Sequence, residues 1–255
     1  MKPQVYILAT FFLACCQLVM AAGQQYANPS DNGGSMLTKQ KEPLNVIIVG
    51  SSDASILSPD GFSNYSQAIG FDADTYAGKS SVNGAQSANL GDGNGMVPQT
   101  GLRRQGGLDE VINGGNHFRY WVQKGSKAPT NALFLAVSVE QGLKQNHMIV
   151  DNGYDQGRDQ LVANATGSSK SFNGKTYTTK LLKMDSSLMQ GVSKGSLNHN
   201  IPTDGRVAIL EVQVKDGGKA SSSSTSNAAF KALAPMSVML TMIMALSTLT
   251  VMCVV

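Results

Sequence analysis

Between its two ends this chain has no cysteine. All three cysteines stand at Cys15, Cys16 and Cys253. If the ends are removed, the remainder has no disulfide framework, no thiol nucleophile and no cysteine-based metal site. It also has no HExxH zinc motif, no GxSxG nucleophile elbow, no Walker loop and no internal repeat. Strong net charge is missing too. Removal of Lys2 and Lys231 with the ends takes the 20 Lys and Arg down to 18, against 17 Asp and Glu. A nearly neutral surface without a basic stripe argues against nucleic acid as a partner.

Two long apolar runs are present, and each sits at an extremity. Residues 5–22, behind Lys2, end in small side chains at Ala21, Ala22 and Gly23. That pattern predicts a secretory signal peptide over 1–23. Residues 236–255 form the second run, with no basic cluster after it. Small residues, a spacer and an apolar tail together predict a glycosylphosphatidylinositol attachment signal. Asn227, followed by Ala228 and Ala229, is the best attachment point, with Ser224 and Ser226 as alternatives. A single-pass anchor is the competing reading of the same segment. Either places the chain on the extracellular face of the plasma membrane or in the cell wall, held at the outer leaflet. In that setting the sequons Asn64-Tyr65-Ser66 and Asn164-Ala165-Thr166 are glycan acceptors expected to face solvent, whereas Asn28 is excluded by Pro29.

The polar stretch 24–42 predicts a flexible leader, and the Ser/Gly-rich stretch 216–235 a stalk carrying the attachment region. One globular domain is expected at 43–215; about 170 residues suffice for a core without disulfides. Residues 44–49 (LNVIIV) read as a buried strand ending at Gly50. Ser58-Pro59-Asp60 supplies a helix start, and Phe62, Tyr65, Ala68 and Ile69 recur at helical spacing. Residues 73–107 are rich in Gly, Ser and Asn and read as a long irregular insertion. Strands follow at 117–122, 131–139, 176–184 and 206–214, with a further short one at 146–150 and a helix at 154–165. The expected fold class is α+β: a mainly antiparallel sheet with one or two helices packed on a face, plus the Gly-rich insertion.

Groups capable of chemistry concentrate in three places. His117 and Arg119 are two apart on one strand and therefore share a face. His147 follows a strong strand. Asp155, Arg158 and Asp159 lie within one helical turn. Two histidines with two carboxylates can bind a divalent metal. Two histidines with two arginines can instead clamp an anion, the guanidinium supplying a fork and the imidazole a proton. The spacing does not choose between these, and no metal site or cofactor is assigned from it. Trp121 reads as core, and His199 receives no role.

The blocks PLNVIIVGS at 43–51, NHFRYWVQ at 116–123 and ALFLAVSVEQGLKQNHMIVDNGYDQGRDQLVANATG at 132–167 together resemble the LssY C-terminal-type domain over about half of the globular region. The resemblance matches His117, Arg119 and Trp121 to one family strand, and His147, Asp155, Arg158 and Asp159 to the following block. It carries no established activity. Some family members are joined to type-2 phosphatidic acid phosphatases, but the Pro-Ser-Gly-His element of those enzymes is absent here. The chain also departs from the family at Asn146, where a second histidine is usual.

The expected function is that of an anchored cell-surface glycoprotein whose domain binds a ligand, such as a cell-wall glycan or a small anion. The alternatives are a secreted hydrolase, acting on a phosphoester with His117 and His147 as acid and base and Arg119 and Arg158 as clamps, and a structural surface protein.

Overall fold

A computed structural model describes residues 25–72, 86–192 and 196–216. The segments read as signal peptide, stalk beyond 216, attachment residues and apolar tail lie outside the described residues, as do 73–85 of the Gly-rich segment. Among the described residues no helix is long and apolar enough to cross a membrane.

Among the described residues there are ten strands and three α-helices. The strands are β1 (Val46–Ile48), β2 (Phe71–Asp72), β3 (Ser87–Asn89), β4 (Met96–Pro98), β5 (Gly101–Gln105), β6 (Gly114–Val122), β7 (Leu133–Gln141), β8 (Lys170–Phe172), β9 (Lys175–Asp185) and β10 (Val207–Asp216). The helices are α1 (Pro59–Ala68), α2 (Leu108–Asn113) and α3 (Gly153–Thr166). Eight strands form one sheet in the order β2-β5-β6-β7-β1-β10-β9-β8, while β3 and β4 pair separately. Every pairing is antiparallel except β1 with β10. The class is α+β with a mainly antiparallel sheet, as the alternation along 117–122 and 206–214 implies.

Both faces of the sheet are covered, which explains why its middle strands read as continuous apolar runs rather than alternating ones. On one face α1 and α3 bring Phe62, Tyr65, Leu161 and Ala165 against Phe118, Tyr120, Leu135, Val137 and Leu210. Helix α1 begins as its sequence dictates: the Ser58 side chain caps Gly61 N–H, and Pro59 occupies the first turn. On the other face Ile47, Val49, Trp121, Phe134, Ala136 and Ile209 pack beneath Met36, Ala88, Leu90 and Met189.

The structure departs from the leader expected at 24–42. Within its described part, Ala27, Met36, Thr38 and Glu42 are buried. The reason is a side chain from elsewhere in the fold. Buried Gln123 accepts from the Ala27 N–H at 2.9 Å and donates to the carbonyls of Ala27 (2.8 Å) and Leu90 (3.0 Å), so polar backbone is satisfied without solvent. The segment read as irregular also contains β3, β4 and β5 in its described part. These strands are short and glycine-flanked, and pairing rather than propensity holds them. The short strand expected at 146–150 reduces to a single bridge between Glu140 and Ile149. The two sequon asparagines, Asn64 and Asn164, sit half-buried within α1 and α3 rather than in exposed loops.

Candidate functional site

The polar cluster lies at the end of the sheet where β6 begins and β7 finishes. In the β6–β7 register His117 faces Ser138, and Arg119 faces Ala136. In the β5–β6 register Arg104 faces His117. Alternation then puts Arg104, His117, Arg119, Ser138 and Glu140 on one face, the same face as Trp121 and Phe134. Helix α2 brings Glu110 against Arg104 and His117. It leaves the sheet plane after Gly107 and returns through Gly114 (φ +85°) and Gly115. A Cβ at Gly114 would stand 2.4 Å from the Glu140 carbonyl oxygen, and one at Gly115 would stand 3.1 Å from Glu110 Cγ. Only glycine permits so close a return.

The short helix is turned inside out. Leu108 and Ile112 are 69% and 59% exposed, while the Glu110 side chain is fully buried. Glu110 meets Arg104 Nε at 2.8 Å and lies 3.7 Å from His117 Nδ1. On the other side of the ring, His117 Nε2 is 3.4 Å from Glu140 Oε1 and 3.3 Å from Ser138 Oγ. Glu110, His117 and Glu140 each offer a ligand atom, and these atoms lie within 4.8 Å of one another. Neither carboxylate oxygen of Glu110 has a well-formed hydrogen bond despite the ion pair with Arg104, and His117 Nδ1 has no partner. Arg119 is held by Glu42, the end of the packed leader.

Burial governs the electrostatics. It pushes Glu110 up to about 7, against the pull of Arg104. Burial, reinforced by the charge of Glu110, pushes Glu140 up to about 7 as well. It drives His117 well below its ordinary 6.5, with Arg119, Arg104 and His147 adding to the effect. It raises Glu42, which Arg119 opposes. The buried Tyr154 hydroxyl has no partner, and its pKa is raised by burial and then by Glu42. With His117 neutral, two arginines face three carboxylates, Glu42, Glu110 and Glu140. The pocket is short of one positive charge, which a proton or a cation would supply.

Of the residues singled out from the sequence, the structure brings His117, Arg119 and His147 to this pocket; His147 Nδ1 is 3.7 Å from Glu140 Oε2. It takes Asp155, Arg158 and Asp159 elsewhere. Arg158 is buried and forms a two-pronged pair with Asp204 at 2.6 and 3.0 Å, a bond to the Arg206 carbonyl at 2.9 Å and one to Asp159 at 2.8 Å. Asp155 accepts from Thr203 Oγ1 at 2.7 Å and from Asp204 N–H. Burial works against the Arg158 charge, but the bonds to Asp204 and Asp159 outweigh it and hold the guanidinium ionised. This group fastens α3 to the loop before β10 and has no contact with the pocket histidines. Sequence reasoning missed Glu110, Glu140, Glu42 and Arg104. Glu140 could have been found, because it continues the Phe134-Ala136-Ser138 face. Glu110 carried a contrary signal, since Leu108 and Ile112 beside it look like the inward residues.

No family model, no curated protein and no solved structure matches this chain.

Proposed function

We propose that this is an extracellular, lipid-anchored glycoprotein whose LssY C-terminal-like domain binds a divalent cation through Glu110, His117 and Glu140. One observation carries the cation reading: two carboxylates and an imidazole converge while buried, with Arg104 as the one cation against Glu110 among the described residues and His117 Nδ1 lacking a hydrogen-bond partner. Two buried carboxylates crowded around one imidazole raise the free energy of their charged forms. A divalent ion would offset that and correct the charge deficit of the pocket. The least buried member of the three, Glu140, is 16% exposed and lies next to His147 at 32%. A bound ion would therefore meet solvent, and any external ligand, from that side. Chemically it would present a Lewis acid to an oxygen of such a ligand.

The hydrolase alternative, with His117 as base and two arginine clamps, is less well supported. His117 is a weakened base in a buried position, and the forks of Arg119 and Arg158 are already taken by Glu42 and Asp204.

Metal analysis of the purified chain followed by titration with Mn²⁺ and Zn²⁺ tests the reading. One equivalent should bind, and Glu110→Gln should abolish binding. Failure of both ions to bind stoichiometrically would overturn it. Anchoring is tested separately: phosphatidylinositol-specific phospholipase C should release the protein from cells, and retention would favour the single-pass anchor.

A further inference from the structure

We infer that a surface cavity lined by Lys39, Lys41 and His199 is a binding site for an acidic saccharide, a sugar carrying a phosphate, sulfate or carboxylate. The inference is independent of the cation reading and uses none of its three residues.

Two turns build the cavity. In the first, Lys41 N–H donates to the Thr38 carbonyl at 2.8 Å; in the second, Asn200 N–H donates to the Leu197 carbonyl at 3.3 Å. Asn198 N–H donates to the Lys41 carbonyl at 2.9 Å and ties one turn to the other. Thr38 and Leu197 are buried and root both turns in the interior. The space between them is about 480 Å³, within the range of about 300–1,000 Å³ found for small-molecule sites. Lys41, His199 and Asn200 in its wall hold φ of +65°, +54° and +54°. Such non-glycine conformations persist only where the surroundings impose them, and they concentrate at ligand clamps.

The lining selects the ligand. Lys39, Lys41 and His199 are exposed, and no carboxylate lines the cavity among the described residues. Glu42, the acid next in the chain, is buried and committed to Arg119. The lysine charges are therefore left for an oxyanion. An ammonium is a point charge with three rotatable donors, so it suits tetrahedral phosphate or sulfate as well as planar carboxylate. The other polar lining is carboxamide, from Gln40, Asn198 and Asn200. Each carboxamide both donates and accepts, as clustered sugar hydroxyls require. An extended peptide instead spaces its amides about 3.3–3.6 Å per residue. Leu197 is the one apolar residue of the described lining, which leaves an acyl chain without a surface to bury against.

The topology sets this cavity near the carboxylate pocket. Strands β1 and β10 run parallel, and each begins a few residues after one of the two turns. Strand β7, antiparallel to β1, finishes at that same end of the sheet. The two sites are thus neighbours with separate side chains, and a chelator separates their ligands.

Isothermal titration calorimetry on the solubilised full-length chain, in EDTA and at low salt, tests the assignment. The probes are glucose 6-phosphate, glucose 6-sulfate, glucuronate, glucose, inorganic phosphate and tetraglutamate. At least one of the three acidic sugars should bind with a Kd below about 1 mM, at least tenfold more tightly than glucose, phosphate or tetraglutamate, and the tightest of the three names the anion. The double substitution Lys39→Gln, Lys41→Gln should weaken that binding at least tenfold while leaving the denaturation midpoint unchanged, because both side chains are exposed. Glu110→Gln should leave it unchanged. Acidic sugars binding no better than inorganic phosphate would mean an adventitious ion only and would overturn the saccharide assignment. Tightest binding of tetraglutamate would overturn it in favour of an acidic peptide. Absence of binding, or binding that survives the double lysine substitution, would remove the site. None of these results bears on the cation site, which metal titration reads separately.

Discussion

Replacing Glu110 by glutamine keeps the side-chain shape and removes the charge, and the consequence for stability can be worked from the pocket. Folded Glu110 holds its proton up to about pH 7, whereas its ordinary value is 4.5. Between those values the folded state binds the extra proton, so its stability is highest below 4.5 and falls as pH rises through 7. At 1.36 kcal/mol for each decade of proton affinity, the loss at pH 8 is about 3 kcal/mol. Glutamine has nothing to lose. Glu140 relaxes in the variant as well, because the Glu110 charge is the second cause of its elevation. His117 acts in the opposite sense. Its depressed pKa means that the unfolded chain takes up a proton below about 6.5, which lowers stability toward acid. For that reason the useful quantity is the difference between variant and wild type, in which His117 largely cancels. Urea denaturation in EDTA can be followed by Trp121, the single tryptophan, fully buried on the same strand as His117. Glu110→Gln should gain about 2–3 kcal/mol on wild type between pH 5 and pH 8. At pH 8, an ion at one hundred times its Kd should return about 2.7 kcal/mol to wild type and nothing to the variant. A difference that stays flat across this range would refute the claim that burial opposes the ionisation of Glu110.

Three further substitutions test the frame around the pocket. A Cβ at Gly157 would stand 2.8–2.9 Å from the Ser138 backbone, so Gly157→Ala should cost about 1–3 kcal/mol in urea denaturation by pushing α3 off β7. Asn45 is buried, donates to the carbonyls of Val137 and Tyr154, and accepts from Val137 N–H. Asn45→Ala should therefore lower stability by about 3 kcal/mol, and a loss below 1 kcal/mol would show that those groups find other partners. Arg158→Ala should cost on the order of 2 kcal/mol, less than a fully buried pair because Asp159 and Asp204 retain access to solvent. It should leave metal affinity unchanged, and a tenfold change in affinity would contradict the separation of this ion-pair group from the pocket.

Much of the architecture was legible in the residue pattern. The Ser58-Pro59 start of α1, the apolar runs at 44–49 and 131–139 and the alternation along β6 and β10 each announce a local state that the tertiary fold keeps. Pairing of His117 with Arg119 on one face was legible for the same reason, because side-chain alternation along a strand is a property of the backbone alone. The helical spacing of Asp155, Arg158 and Asp159 was legible too, but not their destination. Arg158 finds Asp204, 46 residues later, through a loop whose path no local rule predicts.

The pocket itself belongs to the second category. Its members come from β5, α2, β6, β7 and the turn after β7, and they meet only through the strand registers 104 to 117 and 117 to 138. Register is set by the packing of both sheet faces and by the returning glycines at 114 and 115, so it is a tertiary outcome. By itself the sequence determined the strands at 44–49, 117–122, 131–139, 176–184 and 206–214 and the helices that begin at Pro59 and near Tyr154, but not β2 to β5, β8 or α2; it also determined which face of β6 carries the polar groups, and that cysteine chemistry is excluded from the domain. Tertiary structure alone decided that Glu110, rather than Leu108 or Ile112, points inward, because the closeness of α2 to the sheet leaves room there for a carboxylate facing an arginine and an imidazole.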